Sequence, residues 1–362
     1  MPNLKKLRIA IIADVMESIP PKYYGGIERL VYLLLKYLIK RGHEVTLFAS
    51  DDSVVPCQLI PFGHRRSQSV LIELRNLFTL YYQLLRLRKD FDVVHCYGRT
   101  LYLLPLLPLN LVKVQSYECP INPKKVNIAN RLAKNTLTFV ACSNSCAQGG
   151  FGIGQWVTIY EGVDLEDYSY NPSPQGRYLL FLGRLFRIKG VHTAIDVACA
   201  TNKQLKLAGT IAPSGPEFAY FKQEIEPRID GKQIQYVGPV DDYQKNELLG
   251  NASALLFPIE WEEPFGRVMI EAMACGTPVI AFRRGAVPEV LTDEINGFIC
   301  SSKEEMISAV GRIHEIDRQQ CRRTVETRFS GERVALDCEK LYMQLLGIED
   351  VDAKEDLKEC AQ

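Results

Sequence analysis

The chain has 362 residues, which exceeds one ordinary hydrophobic core and suits two domains of about 150–200 residues each. Apolar residues make up 47% and charged residues 24%, the composition of a soluble globular protein, and no apolar run is long enough to span a bilayer. The first residues lack the apolar core of a secretion signal, and eleven scattered cysteines form no Cys-x-x-Cys pair. We therefore expect a cytoplasmic protein with reduced thiols, without a zinc or disulfide framework.

The net charge of zero conceals two halves of opposite sign. Residues 1–165 hold 20 Lys and Arg against 12 Asp and Glu, a balance of +8, and the remainder has a balance of −8. A basic half favours an anionic partner, such as a phosphorylated acceptor or the surface of a membrane, to which the protein would bind peripherally. The alternative is two solvated surfaces of opposite bias. We expect no nucleic-acid partner.

Short apolar runs alternate with segments of helical period in the first half. Helices are expected at Ile27–Arg41 and Ser69–Arg88. Strand and helix in alternation predict a parallel, doubly wound sheet with right-handed crossovers. The expected strands are Leu7–Ala13, Glu44–Ala49, Asp92–Cys96, Val112–Ser116 and Leu137–Cys142.

The pattern restarts after a segment, 162–177, that is rich in turn-forming residues and reads as a linker. Strands are expected at Tyr178–Leu182, Leu205–Ala208, Ile234–Val237, Ala254–Phe257 and Pro278–Phe282, and helices at Gly190–Ala200, Glu217–Glu226, Asp242–Gly250 and Gly266–Ala274. The predicted organisation is a Rossmann-like domain over 1–165, a second over 166–330, a helix at 331–349 that packs back toward the first domain, and a charged tail at 350–362.

The segment Glu263–Glu271 is the most informative. A strand ends at Phe257-Pro258, and Pro264, Phe265 and Gly266 open a helix whose first N–H groups can bind an anion or a sugar hydroxyl. Glu263 precedes this helix, and Glu271 lies about two turns along it, so both carboxylates can face one site. Carboxylates are suited to bidentate hydrogen bonding with sugar and ribose hydroxyls.

This segment and the Ala272–Ala281 sequence that follows it resemble the signature of family 4 retaining glycosyltransferases, which have the GT-B fold. The resemblance continues to Gly285–Glu289 and Asn296–Phe298, upstream to Gly183–Gly190, and to Gly25–Arg29 and Arg41–Phe48 near the start. It covers nearly the whole chain and implies two doubly wound α/β domains facing each other across a cleft.

The resemblance also implies roles for individual residues. Arg184 and Lys189 would bind the diphosphate of a nucleotide-sugar donor, Glu271 the ribose hydroxyls, and Glu263 with the Pro264–Gly266 backbone the transferred sugar and phosphate. The alternative for Arg184 and Lys189 is ordinary surface charge.

Two glycine-containing loops complete the implied donor site. The N–H groups of Gly25 and Gly26 would approach the donor phosphates, unless these glycines form a plain turn. Backbone near Val237 and Gly238 would recognise the base, for which uridine is expected from family habit and guanosine and adenosine remain open.

One residue departs from the family pattern. Glu118 stands where many relatives have a histidine that contacts the transferred sugar. Its carboxylate could bind a sugar hydroxyl or stabilise charge at the anomeric carbon, or it could cap the following helix. His95 is interpreted as a buried, hydrogen-bonded histidine in preference to a cleft residue.

The expected reaction is transfer of one hexose, with retention of anomeric configuration, to a saccharide, lipid-linked or small-molecule acceptor. No metal or resident cofactor is expected, because basic side chains and the start of a helix would take the place of a metal at the diphosphate. The alternatives are a nucleotide-sugar epimerase of the same fold and a non-catalytic sugar-nucleotide-binding protein. The run from His64 to Lys89 is both basic and apolar. We expect it to form a helix that packs on the sheet, and contact with a membrane is the alternative.

Overall fold

The computed structural model describes residues 5–21, 25–64, 69–134 and 136–348, so the predicted tail at 350–362 lies outside it. Contacts divide the chain into two compact units. The first comprises Met1–Cys142, Ala147–Ile159 and Gly331–Gln362, and the second Ser143–Cys146 and Tyr160–Ser330. Among the described residues, no helix is both long and apolar enough to cross a bilayer.

The first unit contains a seven-stranded parallel sheet. Its strands are β1 Arg8–Ile12, β2 Glu44–Ser50, β3 Gln58–Gly63, β4 Val93–Cys96, β5 Val112–Tyr117, β6 Leu137–Ala141 and β7 Gln155–Thr158. They pair in the order β3-β2-β1-β4-β5-β6-β7, so the strand order reverses beside β1. Its helices are α1 Gly26–Lys40, α2 Val70–Leu87, α3 Pro123–Ala133 and the carboxyl-terminal helix α12, Gly331–Leu345.

The two faces of this sheet are covered by different helices. Alternate residues of a strand point to opposite faces, so Ile9 and Ile11 join a core with α1 and α12, while Ala10 and Ile12 join a core with α2 and α3. In α12, Glu339 is buried and pairs with Arg41 at the end of α1. The carboxyl-terminal helix is therefore part of the first unit.

The second unit contains a six-stranded parallel sheet. Its strands are β8 Tyr178–Leu182, β9 Gln204–Ala208, β10 Ile234–Gly238, β11 Ala254–Phe257, β12 Val279–Phe282 and β13 Gly297–Cys300, in the order β10-β9-β8-β11-β12-β13. The remaining helices are α4 Asn144–Ala147, α5 Val191–Ala200, α6 Pro216–Tyr220, α7 Asp242–Asn251, α8 Arg267–Ala274, α9 Val287–Val290, α10 Lys303–Arg312 and α11 Arg318–Arg328.

The predicted fold class is confirmed, with two parallel sheets each wound on both faces. Sequence patterns missed three short strands at sheet edges: β3 and β7 are incompletely buried, and β13 is a buried apolar run of only four residues. The helix expected over 217–226 was only partly right. It begins as α6, continues as a π-helical turn over Phe221–Ile225 and ends as a 3-10 turn. Pro227 lies in that last turn and has no N–H to extend an α-helix.

Candidate functional site

Several of the predicted residues converge at one end of the second sheet. β8 pairs with β9 on one side and with β11 on the other, so the order of strands reverses at this point. The chain leaves β8 at Gly183-Arg184 and leaves β11 at Pro258, which leads to Glu263. Open parallel sheets bind ligands outside the carboxyl ends of the strands at such a switch point. The geometry marks this edge as the candidate site of the second unit.

A glycine brings the two loops of the switch point into contact. Gly190 adopts φ +73°, and a Cβ there would lie 1.9 Å from the carbonyl oxygen of Pro258. Only a residue without a side chain allows the backbones to approach so closely. The close approach holds the turn that ends at Lys189 against the loop that follows β11.

Lys189, Trp261 and Glu263 form a compact polar group. The Lys189 Nζ is 2.5 Å from Glu263 Oε2, and Trp261 Nε1 donates to the same oxygen at 2.7 Å. The ammonium also lies 5.3 Å from the centroid of the Trp261 ring. Both charged side chains are largely buried, so screening by water is weak and their positions are well fixed. Glu263 is thereby held as a hydrogen-bond acceptor, and Lys189 as a cation beside it.

Arg184 differs from Lys189 in its surroundings. It is exposed, and its guanidinium stacks on the ring of Phe186 at 4.7 Å from the centroid. No ion pair joins it to any residue in the described part of the chain. Arginine offers five N–H donors in a planar fork that matches a phosphate, and here that fork faces solvent.

Glu271 is buried inside the second unit among cations. Its Oε1 lies 3.3 Å from the Nζ of Lys245 in α7, and Arg267 and Tyr168 lie close to it. Burial alone would raise the pKa of this carboxyl, but attraction to Lys245 and Arg267 outweighs burial, and the pKa is lowered. Glu271 is therefore a charged acceptor in a place where water is scarce.

A second buried pair lies beside it. Arg267 Nη1 is 3.2 Å from Glu161 Oε2, and both side chains are largely buried. Burial raises the pKa of Glu161, and Arg267 offsets part of that rise. Sequence reasoning missed Glu161, Arg267, Lys245 and Tyr168. A basic residue directly after Gly266, at the start of a helix inside the recognised signature, is a signal that could have identified Arg267.

The residues that open α8 contribute backbone rather than side chains. Phe265 is buried and packs edge-on against Phe329, with centroids 5.9 Å apart. The carbonyl of Pro264 accepts a hydrogen bond from Ser143 Oγ at 2.6 Å. Gly266 adopts φ +85° and precedes the first helical residue. The role predicted for these amides stays a prediction.

Val237 and Gly238 lie at the same edge but at the far end of the sheet. They end β10, and β9 separates them from β8. Gly238 accepts a hydrogen bond from Gly209 N at 2.9 Å, which ties the loops of the two strands together. Val237 is half exposed, so the position is accessible to a ligand, and base recognition there stays a prediction.

The glycine loop of the first unit has an acidic setting. Gly25 precedes α1 and Gly26 begins it. A Cβ on Gly25 would lie 2.8 Å from Glu28 Oε2, so this carboxylate stands next to the loop. Burial raises the pKa of Glu28, and the nearby charges of Glu17 and Asp14 raise it further. Among the described side chains next to this loop, the Glu28 carboxylate would repel a phosphate when it is ionised.

Glu118 and His95 lie on neighbouring strands of the first sheet. Glu118 directly follows β5 and is half buried. The cap of α3 is Asn122, whose side chain accepts from Lys124 N and Lys125 N, so the alternative of Glu118 as that cap is wrong. His95 is fully buried between Tyr342 Oη at 2.5 Å and Ser116 Oγ at 2.8 Å. Burial lowers its pKa to about 3, so His95 is a neutral core residue, as expected.

Family models match both halves of the chain. The model of glycosyl transferases group 1 matches residues 166–327, and that of glycosyltransferase family 4 matches residues 24–167. The two matches are adjacent and together span most of the chain. The chain therefore belongs to the group 1 glycosyltransferases of family 4, whose members are glycosyltransferases with the GT-B fold.

Individual relatives are distant in sequence. The gpi3 subunit of phosphatidylinositol N-acetylglucosaminyltransferase from Schizosaccharomyces pombe is 22% identical over 356 residues, which cover 88% of this chain and 77% of that protein. Sucrose-phosphate synthase from Thermosynechococcus elongatus has a TM-score of 0.76 and 20% identity, covering 95% of this chain and all of that one. Anabaena Alr3699/HepE in complex with UDP has a TM-score of 0.73 and 17% identity, covering 93% of this chain and 100% of that chain. At these identities the structures establish the fold.

Proposed function

We propose that this protein transfers a hexose from a nucleotide diphosphate sugar, with uridine as the base, to a saccharide, lipid-linked or small-molecule acceptor, and that the anomeric configuration is retained. The observation that carries the proposal is the polar group of Lys189, Trp261 and Glu263 at the switch point of the second sheet, with the exposed Arg184 in the same loop after β8. Two cations and a fixed carboxylate are the groups that a sugar diphosphate requires.

Charge explains how this group would act. As the bond between sugar and diphosphate breaks, negative charge grows on the leaving phosphate oxygen. Arg184 and Lys189 would stabilise that charge, and Lys189 is already held in a site of low dielectric. Glu263, fixed by Trp261, would accept a hydrogen bond from a hydroxyl of the transferred sugar. No protein nucleophile is needed for this chemistry.

The rest of the donor would extend along the same edge. Glu271 is charged and buried, so its carboxylate suits the two hydroxyls of the ribose. The N–H groups of Phe265 and Gly266, which follow Pro264, would bind the sugar and phosphate, and backbone at Val237 and Gly238 would bind the base. The relative in complex with UDP supports uridine as the base.

The first unit would serve the acceptor. Glu118 would face the anomeric carbon or a sugar hydroxyl, and the backbone N–H groups of Gly25 and Gly26 would bind the donor phosphates. The S. pombe relative is named for transfer to phosphatidylinositol, which supports an anionic, lipid-carried acceptor and peripheral contact with a membrane. Residues 1–165 contain 20 basic and 12 acidic residues, and this positive balance agrees with such a partner.

The first experiment is a calorimetric titration of the protein with UDP, GDP and ADP. The sugar conjugates of the nucleotide that binds best are then incubated with the protein and a panel of acceptors. We expect UDP to bind with micromolar affinity, and proton NMR of the product to show retained configuration. Conversion of the donor sugar without any acceptor would identify an epimerase instead. Binding of UDP without turnover over the whole panel would identify a binding protein.

A metal is not part of the proposal. The charges of Arg184 and Lys189 would take the place that a divalent cation occupies in other transferases. Turnover should therefore persist in EDTA at the rate seen without chelator. A loss of turnover in EDTA that added Mg²⁺ or Mn²⁺ restores would contradict this part.

A further inference from the structure

The exposed face of α2 in the first unit carries an unusual row of large apolar side chains. Leu71 is 78% exposed, Phe78 74% and Tyr82 63%, and Leu74 and Leu85 are exposed beside them. These positions recur at the three- and four-residue spacing that places side chains on one side of a helix. The opposite side of α2 is the one that packs on the sheet, through Leu80 and Leu84. The helix is therefore apolar on both its core side and its solvent side.

A second helix continues this surface. α3 packs on the same face of the sheet as α2, because Val126 and Ala129 of α3 share one core with Leu80 and Leu84 of α2. The solvent side of α3 exposes Ile128 and Leu132. Since both helices cover one face of one sheet, their exposed sides point in the same general direction.

Basic residues surround the apolar side chains. Arg75 and Arg86 flank the exposed row of α2, and Lys124, Lys125 and Arg131 flank Ile128 and Leu132 on α3. Within the described residues, none of these five side chains forms an ion pair. The sequence of α3 contains no acidic residue, and the single one in α2, Glu73, lies away from the apolar row and pairs with Arg99.

We propose that the outer side of α2 and α3, called the docking face here, lies on the surface of an anionic lipid bilayer, an inference that rests on the membrane contact included in the proposed function. A monomer seldom exposes a row of large apolar side chains such as that of α2 without a binding role. Helices that lie in a membrane interface bury aliphatic and aromatic side chains among the acyl chains and direct Arg and Lys to the head groups. The docking face has both parts. At 18 residues, α2 is about 27 Å long; its second half packs on the sheet through Leu80 and Leu84, and residues 70–75 are exposed.

Charge is what favours a bilayer over a second copy of this chain. A symmetric dimer through the docking face would bring two sets of unpaired Arg and Lys together with no carboxylate between them. The negative surface of a bilayer compensates those charges, and each Lys or Arg near it strengthens binding about five-fold. The apolar row and the basic flank thus point to the same partner.

The test is flotation of the full chain with vesicles of phosphatidylcholine, alone or with about 30% phosphatidylglycerol, an anionic lipid. We expect binding to the anionic vesicles only. The double variant Leu71→Ser/Phe78→Ser should weaken that binding by ten-fold or more, since it removes two of the most exposed apolar side chains. Val54→Ser is the matched control, because Val54 is equally exposed but lies outside α2 and α3.

A second pair of variants tests the charges. Arg75→Gln/Arg86→Gln should weaken binding to anionic vesicles about 20-fold, at about five-fold for each arginine. Lys232→Gln/Arg323→Gln removes the same charge from exposed positions of the second unit and should leave vesicle binding unchanged. Circular dichroism and melting curves check that each variant is folded.

Three results would overturn the proposal. The first is that the wild-type chain does not bind anionic vesicles, and the second is that the α2 variants and the control variants have equal effects. The third is that sedimentation shows a dimer of the wild-type chain that becomes a monomer in Leu71→Ser/Phe78→Ser. Because the residues proposed for the donor's diphosphate and ribose belong to the second unit, UDP affinity should be the same in all these variants. Failure of nucleotide binding would thus be seen separately from failure of membrane binding.

Discussion

Among the described residues, the carboxyl edges of the two sheets carry different arrangements of charged side chains, although both sheets are parallel and doubly wound. In the second unit, acidic and basic side chains are paired and largely buried, as in Lys189–Glu263, Lys245–Glu271 and Arg267–Glu161. In the first unit, the carboxylates of Asp14, Glu17 and Glu28 lie near one another at the edge beside β1, and Arg99 pairs with Asp14 at 3.2 Å. The fold alone therefore does not decide what an edge can bind.

This difference between the two edges indicates where affinity for an anion can arise. A fixed cation in a site of low dielectric attracts a phosphate strongly, whereas a carboxylate whose pKa is already raised repels one. We infer that the second unit supplies most of the free energy of donor binding, and that the acidic edge of the first unit serves another part of the reaction. Substitutions at each edge can test this division.

The largest effect is expected from the cations of the second unit. Arg184→Ala and Lys189→Ala should each lower kcat/KM for the donor about 100-fold or more, since each removes a charge that stabilises the leaving diphosphate. The matched control is Arg187→Ala, which removes a neighbouring cation that is exposed and bound to Glu224. Equal rates in all three variants would place the diphosphate elsewhere.

The next effect concerns the backbone that aligns these residues. Gly190→Ala should destabilise the second unit by about 3 kcal/mol, because the new Cβ meets the Pro258 carbonyl and φ is positive. Gly311→Ala, in helix α10 with no atom within 4 Å of the new Cβ, should instead stabilise by about 0.5–1 kcal/mol. Urea unfolding measures both. A Gly190→Ala variant as stable as the wild type would mean that the two loops are not held in contact.

Much of this contrast could be predicted from the sequence, and part of it could not. Short apolar runs located ten of the thirteen strands, and the signature at Glu263–Glu271 placed a candidate site at the end of β11. The buried partners of Glu271 were missed because Lys245 and Tyr168 lie 26 and 103 positions away in the chain, and no local pattern connects them. The carboxylates near Gly25 were missed because the glycine sequence does not indicate which charged side chains will lie next to the loop in the folded chain.

The buried carboxylate of the second unit predicts a dependence of stability on pH. The pKa of Glu271 is lower in the folded chain than the ordinary value of 4.5, so its ion pairs stabilise the fold fully above that value. This contribution is lost as the pH falls through the folded pKa, and a folded pKa one pH unit below the unfolded pKa corresponds to about 1.4 kcal/mol. Glu271→Gln should therefore lower the melting temperature at pH 7. Between pH 7 and pH 3, the melting temperature of this variant should decrease less than that of the wild type.

The control for this effect is Glu332→Gln, at an exposed position of α12. This variant should change the free energy of unfolding by no more than about 0.5 kcal/mol. Its melting temperature at pH 7, and the decline of that temperature in acid, should therefore match those of the wild type. If Glu271→Gln behaves like Glu332→Gln, the buried pair with Lys245 contributes nothing to the stability of the second unit.

The smallest effect is expected at the acidic edge of the first unit, and it separates two roles for Glu28. If its charge only repels a donor phosphate near Gly25 and Gly26, Glu28→Gln should strengthen UDP binding about five-fold, which corresponds to about 1 kcal/mol. Because the pKa of Glu28 is raised, the wild type should gain the same affinity as the pH falls toward that pKa, and the variant should not. Glu44→Gln, at the opposite end of the sheet, is the matched control. A loss of affinity in Glu28→Gln would instead mean that this carboxylate accepts a hydrogen bond from a substrate, and the first unit would then share in binding the donor.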